Sequence, residues 1–506
     1  MTTKVQTISA LFLAASVSGA RAQQLQSTVA NPPPVLSPFE QSIQEIKNPV
    51  PWLSWGGDLR VRNEYFDNIL SLSPHRKQSP SASLHEQDYW RFRGRIWASI
   101  TPVKDISLNV RLANESREWM KPAGYTPYSG HSGLDLRDGI FDTLNLQWRN
   151  VLQQPATLTV GRQDIFLGDG WLVGDGTPGD GSWTYFLDAA RLTYDLKDQH
   201  TVIDVIGIAQ DGHDNGWLQT INADQYLYET EQNEKGAILY VANSSLKAAN
   251  LTGYFIYKHD DALGDIFYTP LEKKYRADNA DIYTIGGRLS GALSDHWSYS
   301  AEGAYQFGDK QDPSIADNST RLNPKSAYDF RDISAFGVNS RLVYAFKDRL
   351  KNQLTLSYEF LSGDDPNSHN DEMFDNLWGR WPRWSEIGLY SFAAENRIGN
   401  EANLHRLGPS WSFTPVKDLD FTTAYYALFA AEDVATRAGV FNNSFAGNAN
   451  LPDHGNFRGH FVSAILKYRF NKHMTGHLWS EFELPGDYYA SKALWTFLRA
   501  EVMFTF

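Results

Sequence analysis

Polar and apolar residues alternate along most of this chain with a period of two. In Asp88–Ile100, Arg91, Arg93 and Arg95 share one parity, while Trp90, Phe92, Ile96, Ala98 and Ile100 share the other. A β-strand sends successive side chains to opposite faces, so three guanidiniums would stand on one side and an apolar row on the other. The same alternation runs through Leu59–Tyr65, Ile106–Leu112, Leu144–Trp148, Leu251–Tyr257, Trp297–Phe307 and Leu354–Phe360. No long stretch shows the roughly 3.6-residue spacing of an amphipathic helix.

The connections alternate as well. Short ones fall at Thr101–Asp105, Asn150–Gln154, Leu196–His200, Asn243–Ala248, Leu293–His296, Lys347–Asn352, Thr414–Asp418 and Asn471–His473. Long ones run over 66–88, 117–139, 168–182, 211–233, 260–280, 309–330, 362–400, 432–457 and 486–493. The pentapeptide Thr-Pro-Val-Lys-Asp occurs at Thr101 and again at Thr414, each time between alternating segments, and reads as a hairpin turn on one side. Short turns on one side and long loops on the other, joining about eighteen strands, predict an all-β fold. It is a transmembrane antiparallel up-and-down β-barrel with short periplasmic turns and long extracellular loops. A barrel of roughly 16–18 strands encloses an aqueous channel. The apolar parity would then face lipid and the arginine parity the lumen, the reverse of a soluble sheet.

The termini fit export. Lys4, the apolar run Ile8–Val17 and the small-x-small step Ala20-Arg21-Ala22 make 1–22 a secretory signal peptide. Residues 23–50 form a Pro-rich leader with a short helix near Ser42–Lys47, and 51–506 form the barrel. No segment reaches the ~20 apolar residues of a membrane helix. Entry into a membrane would therefore require a closed barrel, which satisfies its own backbone polar groups. At the C-terminus Leu498, Ala500, Val502, Phe504 and Phe506 oppose Arg499 and Glu501. A last strand ending on Phe resembles the assembly signal of outer-membrane barrels. That implies outer-membrane lipid and the barrel-assembly machinery as partners, in a Gram-negative bacterium.

The chain has no cysteine, which excludes disulfides and thiolate metal sites. A formal net charge of −13 argues against nucleic-acid binding. There is no HExxH, phosphate loop or Ser-His-Asp motif. Glu481 and Glu483 could serve a secreted polysaccharide-active enzyme as a carboxylate pair, but a lumen needs such pairs anyway.

Leu158-Thr159-Val160-Gly161-Arg162-Gln163-Asp164 leads into Gly168-Asp169-Gly170-Trp171-Leu172-Val173-Gly174. A Gly-Arg-Gln strand before a Gly-Asp-rich loop, with an early strand of inward arginines, resembles the alginate-export porin family. The resemblance spans about Trp52 to Phe506, and the family's eighteen strands agree with the count made from the alternation. It implies export of an anionic polysaccharide, with periplasmic export components as partners and no catalysis. Trp171 departs from the pattern, because a basic residue is expected soon after the Gly-Asp step.

The lumen parity carries Arg60, Arg62, Arg91, Arg93, Arg95, Arg111, Arg149, Arg191, Arg288, Arg341, Arg406 and Arg499, with Arg162 at a glycine kink. Asp58, Glu64, Glu302, Glu359, Glu481, Glu483 and Glu501 share that parity. Guanidiniums bind carboxylates in a bidentate way, so the arginines could pass a polyuronate from site to site. The same residues could instead brace a wide barrel as cross-strand ion pairs. An uptake porin for small anions or sugars is the alternative transport reading. No cofactor is expected. The Gly-Asp loop 168–181 offers oxygen ligands that Ca²⁺ could use, without EF-hand spacing, and a flexible acidic loop is the plainer reading. Loop 362–400, with Trp378, Trp381 and Trp384, could fold over the pore or into it.

Overall fold

A computed structural model describes residues 38–69, 86–123, 135–136, 139–174, 186–212, 218, 221, 232–246, 248–262, 279–311, 330–365, 368–379, 383–395, 401–432, 455–489 and 492–506. The signal peptide 1–22 and the first part of the leader lie outside these residues, as does Trp381.

Helix α1, Pro38–Lys47, precedes the wall. It begins ahead of Ser42 because Pro38 brings a φ already suited to a first helical turn. Trp55 Nε1 donates to the Ile46 carbonyl at 2.6 Å, and Lys472 pairs with Glu40 at 2.6 Å, which ties α1 to the short-turn end of the wall.

The wall starts with β1 (Leu53–Asp67), β2 (Glu86–Val103) and β3 (Ile106–Lys121). The two-residue β4 (Asp135–Leu136) and β5 (Ile140–Arg149) both pair antiparallel with β3 and together make one wall strand. Next come β6 (Ala156–Gln163), β7 (Leu187–Leu196), β8 (Thr201–Gln210), β9 (Gln232–Asn243), β10 (Asn250–Ala262) and β11 (Ala280–Ala292). They are followed by β12 (Trp297–Gln311), β13 (Phe330–Ala345) and β14 (Gln353–Leu361). After helix α2 (Glu386–Glu395) the wall is completed by β15 (Leu404–Val416), β16 (Leu419–Phe429), β17 (Phe457–Arg469), β18 (Met474–Pro485) and β19 (Trp495–Thr505). With β4 and β5 counted as one, each wall strand pairs antiparallel with its neighbour in sequence, and β1 pairs with β2 on one edge and β19 on the other. The sheet is a closed antiparallel barrel of eighteen strands. Closure leaves no edge with unpaired backbone groups, which a lipid environment demands.

The wall is inverted relative to a soluble sheet. Leu59 is 61% exposed while its neighbour Arg60 is 2% exposed. Ile96, Leu146, Val205, Ile285, Leu356, Leu407 and Leu478 are likewise exposed along the outer face. Trp90, Trp148, Trp411, Tyr425 and Tyr468 add exposed aromatics to that face, as the girdles of membrane barrels do.

The repeated pentapeptide builds the same turn twice. Asp105 and Asp418 adopt φ of 66° and 64°, and both hairpins carry a register shift just before the turn. Aspartate tolerates this left-handed conformation better than most residues. Arg149 N–H donates to the Asp105 carbonyl at 2.8 Å and Arg469 N–H to that of Asp418 at 2.9 Å, linking each turn to the next hairpin.

The described parts of two long connections run inside the wall. Ile165, Leu167, Trp171, Leu172 and Val173 from one, and Phe374, Leu377, Trp378 and Phe392 from the other, form a single apolar core with inward residues of β7 to β17. Val173 and Trp378 form a parallel bridge between the two segments, and Asp371 bridges Ile333 of β13. Loop 362–400 therefore enters the barrel through its described part rather than lying over its mouth.

Candidate functional site

Alternation alone sends the even-numbered residues of β1 inward, and β2 and β19 carry it across the closure seam. Cross-strand register sets Arg62 opposite Arg91 and Glu501, and Glu64 opposite Arg499. The ion pairs follow from that register. Arg62 Nη2 lies 2.5 Å from Glu501 Oε2, and Arg91 lies 2.8 Å from Glu64 and 3.0 Å from Glu115. Arg499 also pairs with Glu64 and reaches Glu386 of α2 at 2.9 Å. Asp58 takes Arg93 at 3.2 Å and Arg95 at 2.5 Å. Arg60 lies 3.8 Å from Glu115 and 3.7 Å from Glu501. Removing water from so many charges is costly, and only dense pairing offsets it.

The remaining predicted arginines are paired farther round the wall. Arg111 meets Asp142 at 2.7 Å and Asp164 at 3.0 Å, and Arg191 meets Asp204 at 2.8 Å. Arg406 meets Glu359 at 2.8 Å and lies over the rings of Tyr426 and Trp384. Arg288 and Arg341 meet on Asp169 at 2.8 and 2.6 Å. Arg149 is exposed near the short turns and donates to Ser107 at 2.7 Å. Arg162 stands apart from the seam. It follows Gly161, whose φ of 116° breaks the alternation, and is held between Asp188 at 2.9 Å and the ring of Phe186.

The predicted acids divide by task. Asp58, Glu64, Glu359 and Glu501 hold arginines, as above. Glu302 accepts from Tyr254 at 3.0 Å and lies 4.0 Å from Arg288. Glu481 receives the Ser385 hydroxyl and the Glu386 and Ile387 amides, so it holds the N-terminus of α2. Glu483 is buried beside it on β18.

The inward segments are fastened to the wall by polar contacts. Gln306 brackets the Asp375 backbone with bonds of 2.6 and 2.8 Å. Trp378 Nε1 donates to Glu234 at 2.9 Å, and Trp171 Nε1 donates to Glu359 at 3.1 Å. Buried Lys258 sits 3.1 Å from Asp260 and 3.6 Å from Glu234. Arg458 donates to the Asn403 carbonyl and to Tyr489, and faces Phe392 of α2. Trp384 donates to Glu401. Burial, with Glu359 nearby, pushes the Glu401 carboxyl up to about 8.

Several of these residues were not singled out from sequence. Glu115 and Arg117 continue the Ser107, Asn109, Arg111 parity of β3 and could have been found by following it further. Asp142 could not, because a register shift in β5 turns it inward. Arg383, Ser385 and Glu401 lie on connections, where no periodicity says what they face, and Asp169 was read only as part of the Gly-Asp loop, not as a partner of arginines. The position after the Gly-Asp step is Trp171, as the sequence shows, and the cation there comes from elsewhere: Arg383 donates to the carbonyls of Asp169 and Gly174.

For the suggested Ca²⁺ loop, Asp169 is occupied by arginines, while Asp175 and Asp180 lie outside the described residues. Asp364 is taken in a bidentate pair by Arg331, and Asp371 lies 3.6 Å from Lys310.

Among solved structures, Acinetobacter baumannii OccAB2 is similar at a TM-score of 0.51 and 12% identity, covering 89% of this chain and 98% of that one. Pseudomonas aeruginosa OpdQ gives 0.51 and 10% over the same shares, and Pseudomonas aeruginosa OccK9 (OpdG) gives 0.50 and 13%. At such identities the likeness is one of fold, that of outer-membrane porin barrels. No curated protein sequence matches the chain. Residues 51–494 match the family model described as alginate export. With a closed barrel, an apolar exterior and a charged interior, the protein is an outer-membrane channel, and the chain belongs to the alginate-export family.

Proposed function

We propose that the protein passes an anionic polysaccharide of the polyuronate type through the outer membrane of a Gram-negative bacterium, without chemistry. The observation that supports this reading is an imbalance of charge at the closure seam. The inner faces of β19, β1, β2 and β3 carry eight arginines: Arg60, Arg62, Arg91, Arg93, Arg95, Arg111, Arg117 and Arg499. They carry four acids: Asp58, Glu64, Glu115 and Glu501. Asp142, Asp164 and Glu386 reach Arg111 and Arg499 from outside these strands, which leaves the guanidiniums in slight excess, and an excess of cations in a low-dielectric enclosure concentrates anions. Its pairs are also carboxylate pairs. A uronate carboxylate entering the lumen offers each guanidinium the same chemistry as the acid it already holds, so binding and release are closely balanced, as conduction needs.

A second reading, passage of small anionic or sugar solutes, is favoured by the segments 164–174, 371–379 and 383–395 that fold into the lumen. Block of single-channel current by a uronic-acid oligosaccharide, against a neutral oligosaccharide of equal length, separates them. Polyuronate transport predicts stronger block by the charged chain, weakening as salt rises. Equal block by both would contradict it.

A further inference from the structure

The bridge of Arg288, Asp169 and Arg341 differs from the ion pairs of the seam. Arg341 and Arg288 are among the more water-exposed of the predicted arginines, with side chains 25% and 17% exposed, whereas Arg62 and Arg499 are at 0% and 1%. The two come from β11 and β13, with β12 between them, and both close on one carboxylate. That carboxylate does not belong to the wall. Asp169 sits on the connection after β6 between Gly168 and Gly170, whose φ of 58° and 72° are conformations glycine adopts without strain.

We infer that Arg288 and Arg341 form a carboxylate-binding subsite of the channel and that Asp169 occupies it as a tethered stand-in for the substrate's carboxylate. This rests on the polyuronate reading above. Glu302 of β12 lies 4.0 Å from Arg288, so the two guanidiniums already face two carboxylates, and a free anion reaches them by taking the place of Asp169 rather than by adding to it. Exchange of one carboxylate for another leaves the number of charge-assisted bonds unchanged, so displacement needs no exceptional affinity. The tether sets how hard the competition is, because a group held on a short loop acts as a high local concentration of ligand. Displacement would also be felt elsewhere. The Asp169 carbonyl accepts from Arg383, just ahead of α2, and Trp171 stacks on Phe374 at 5.5 Å. An incoming uronate would therefore loosen the two inward segments where they meet, admitting polymer while retaining closure in its absence.

The test uses the full-length protein in planar bilayers. Asp169→Asn removes the competing charge, and Asp169→Glu keeps it on a longer arm. The half-blocking concentration of a uronic-acid oligosaccharide should fall roughly tenfold in Asp169→Asn and stay near wild type in Asp169→Glu. Adding Arg288→Gln and Arg341→Gln to Asp169→Asn should abolish the gain. Heat-modifiable migration on gels confirms that each barrel has closed. Equal half-blocking concentrations in wild type and Asp169→Asn would overturn the subsite while leaving the polyuronate reading intact. Absence of block in both pores would sink that reading and the subsite with it.

Discussion

Ser385 and Glu481 meet inside the barrel, the serine hydroxyl donating to the Glu481 carboxylate at 2.9 Å. The same carboxylate accepts the amides of Glu386 and Ile387, while Ser385 Oγ accepts the Gly388 amide at 2.8 Å. A strand of the wall thus satisfies the amides that a helix leaves unpaired at its start. That contact and the apolar packing of Ile387 and Phe392 together hold α2 in the lumen.

Glu481→Ala should free the start of α2 without opening the wall. Loss of the cap costs about 0.5–2 kcal/mol of local stability. The expected result is a higher and noisier single-channel conductance with an unchanged unfolding temperature of the barrel. A conductance equal to wild type would mean that α2 is held by its apolar contacts alone.

The seam makes a stronger prediction. Glu64 is shared by Arg62, Arg91 and Arg499, all buried. Glu64→Gln leaves three guanidiniums around a neutral amide. Stripping one partner from a buried ion pair costs about 3–5 kcal/mol. The temperature at which the folded band is lost on gels should drop markedly, and Arg499→Met in the same background should recover part of the loss. A variant as heat-resistant as wild type would show that water reaches the seam and screens it.

Gly161 gives a test of backbone geometry. Its φ is 116°, and an added Cβ would press on the Leu144 carbonyl. Gly161→Ala should destabilise the barrel by about 1–3 kcal/mol and misplace Arg162. Gly94→Ala is the control, since its Cβ would find only Leu59 Cδ2 at 3.7 Å. Equal unfolding temperatures for the two variants would remove the strain argument.

The strand pattern was legible because period-two alternation survives wherever one face meets lipid and the other does not. Arg91, Arg93 and Arg95 fell on the inner face for that reason alone. Their partners were harder to read. Pairing of Glu64 with Arg499 depends on barrel closure, which brings the first strand beside the last and leaves no local trace in either. Asp169 and Glu481 show the other limit. One is a loop carboxylate that serves the lumen, the other a wall carboxylate that serves a loop, and parity gives neither task. The Arg162 motif was visible, yet its glycine defeated the parity that placed the other arginines.

Glu401 should make closure sensitive to pH. Its carboxyl is pushed up to about 8 by burial and by Glu359, from an ordinary 4.5. An acid with a raised folded-state pKa is held protonated by the fold. Its contribution is complete below the unfolded value and is lost as pH rises through the folded one. Stability should therefore fall as pH climbs from about 4.5 to about 8, while the Trp384 Nε1–H bond, which favours the ionised carboxylate, tightens as the proton leaves near the upper end. Tryptophan fluorescence should shift as pH passes through about 8 in wild type and not in Glu401→Gln. Identical titrations would place the proton elsewhere.

The guanidiniums on the inner wall of the seam are expected to draw anions, and with them polyanions, into the channel. The reversal potential of the purified protein in a planar bilayer under a potassium chloride gradient measures this directly. An anion-attracting seam should displace the potential towards the chloride equilibrium value, an effect reduced by higher salt and by Arg95→Gln with Arg111→Gln. A potential displaced towards the potassium value would contradict it.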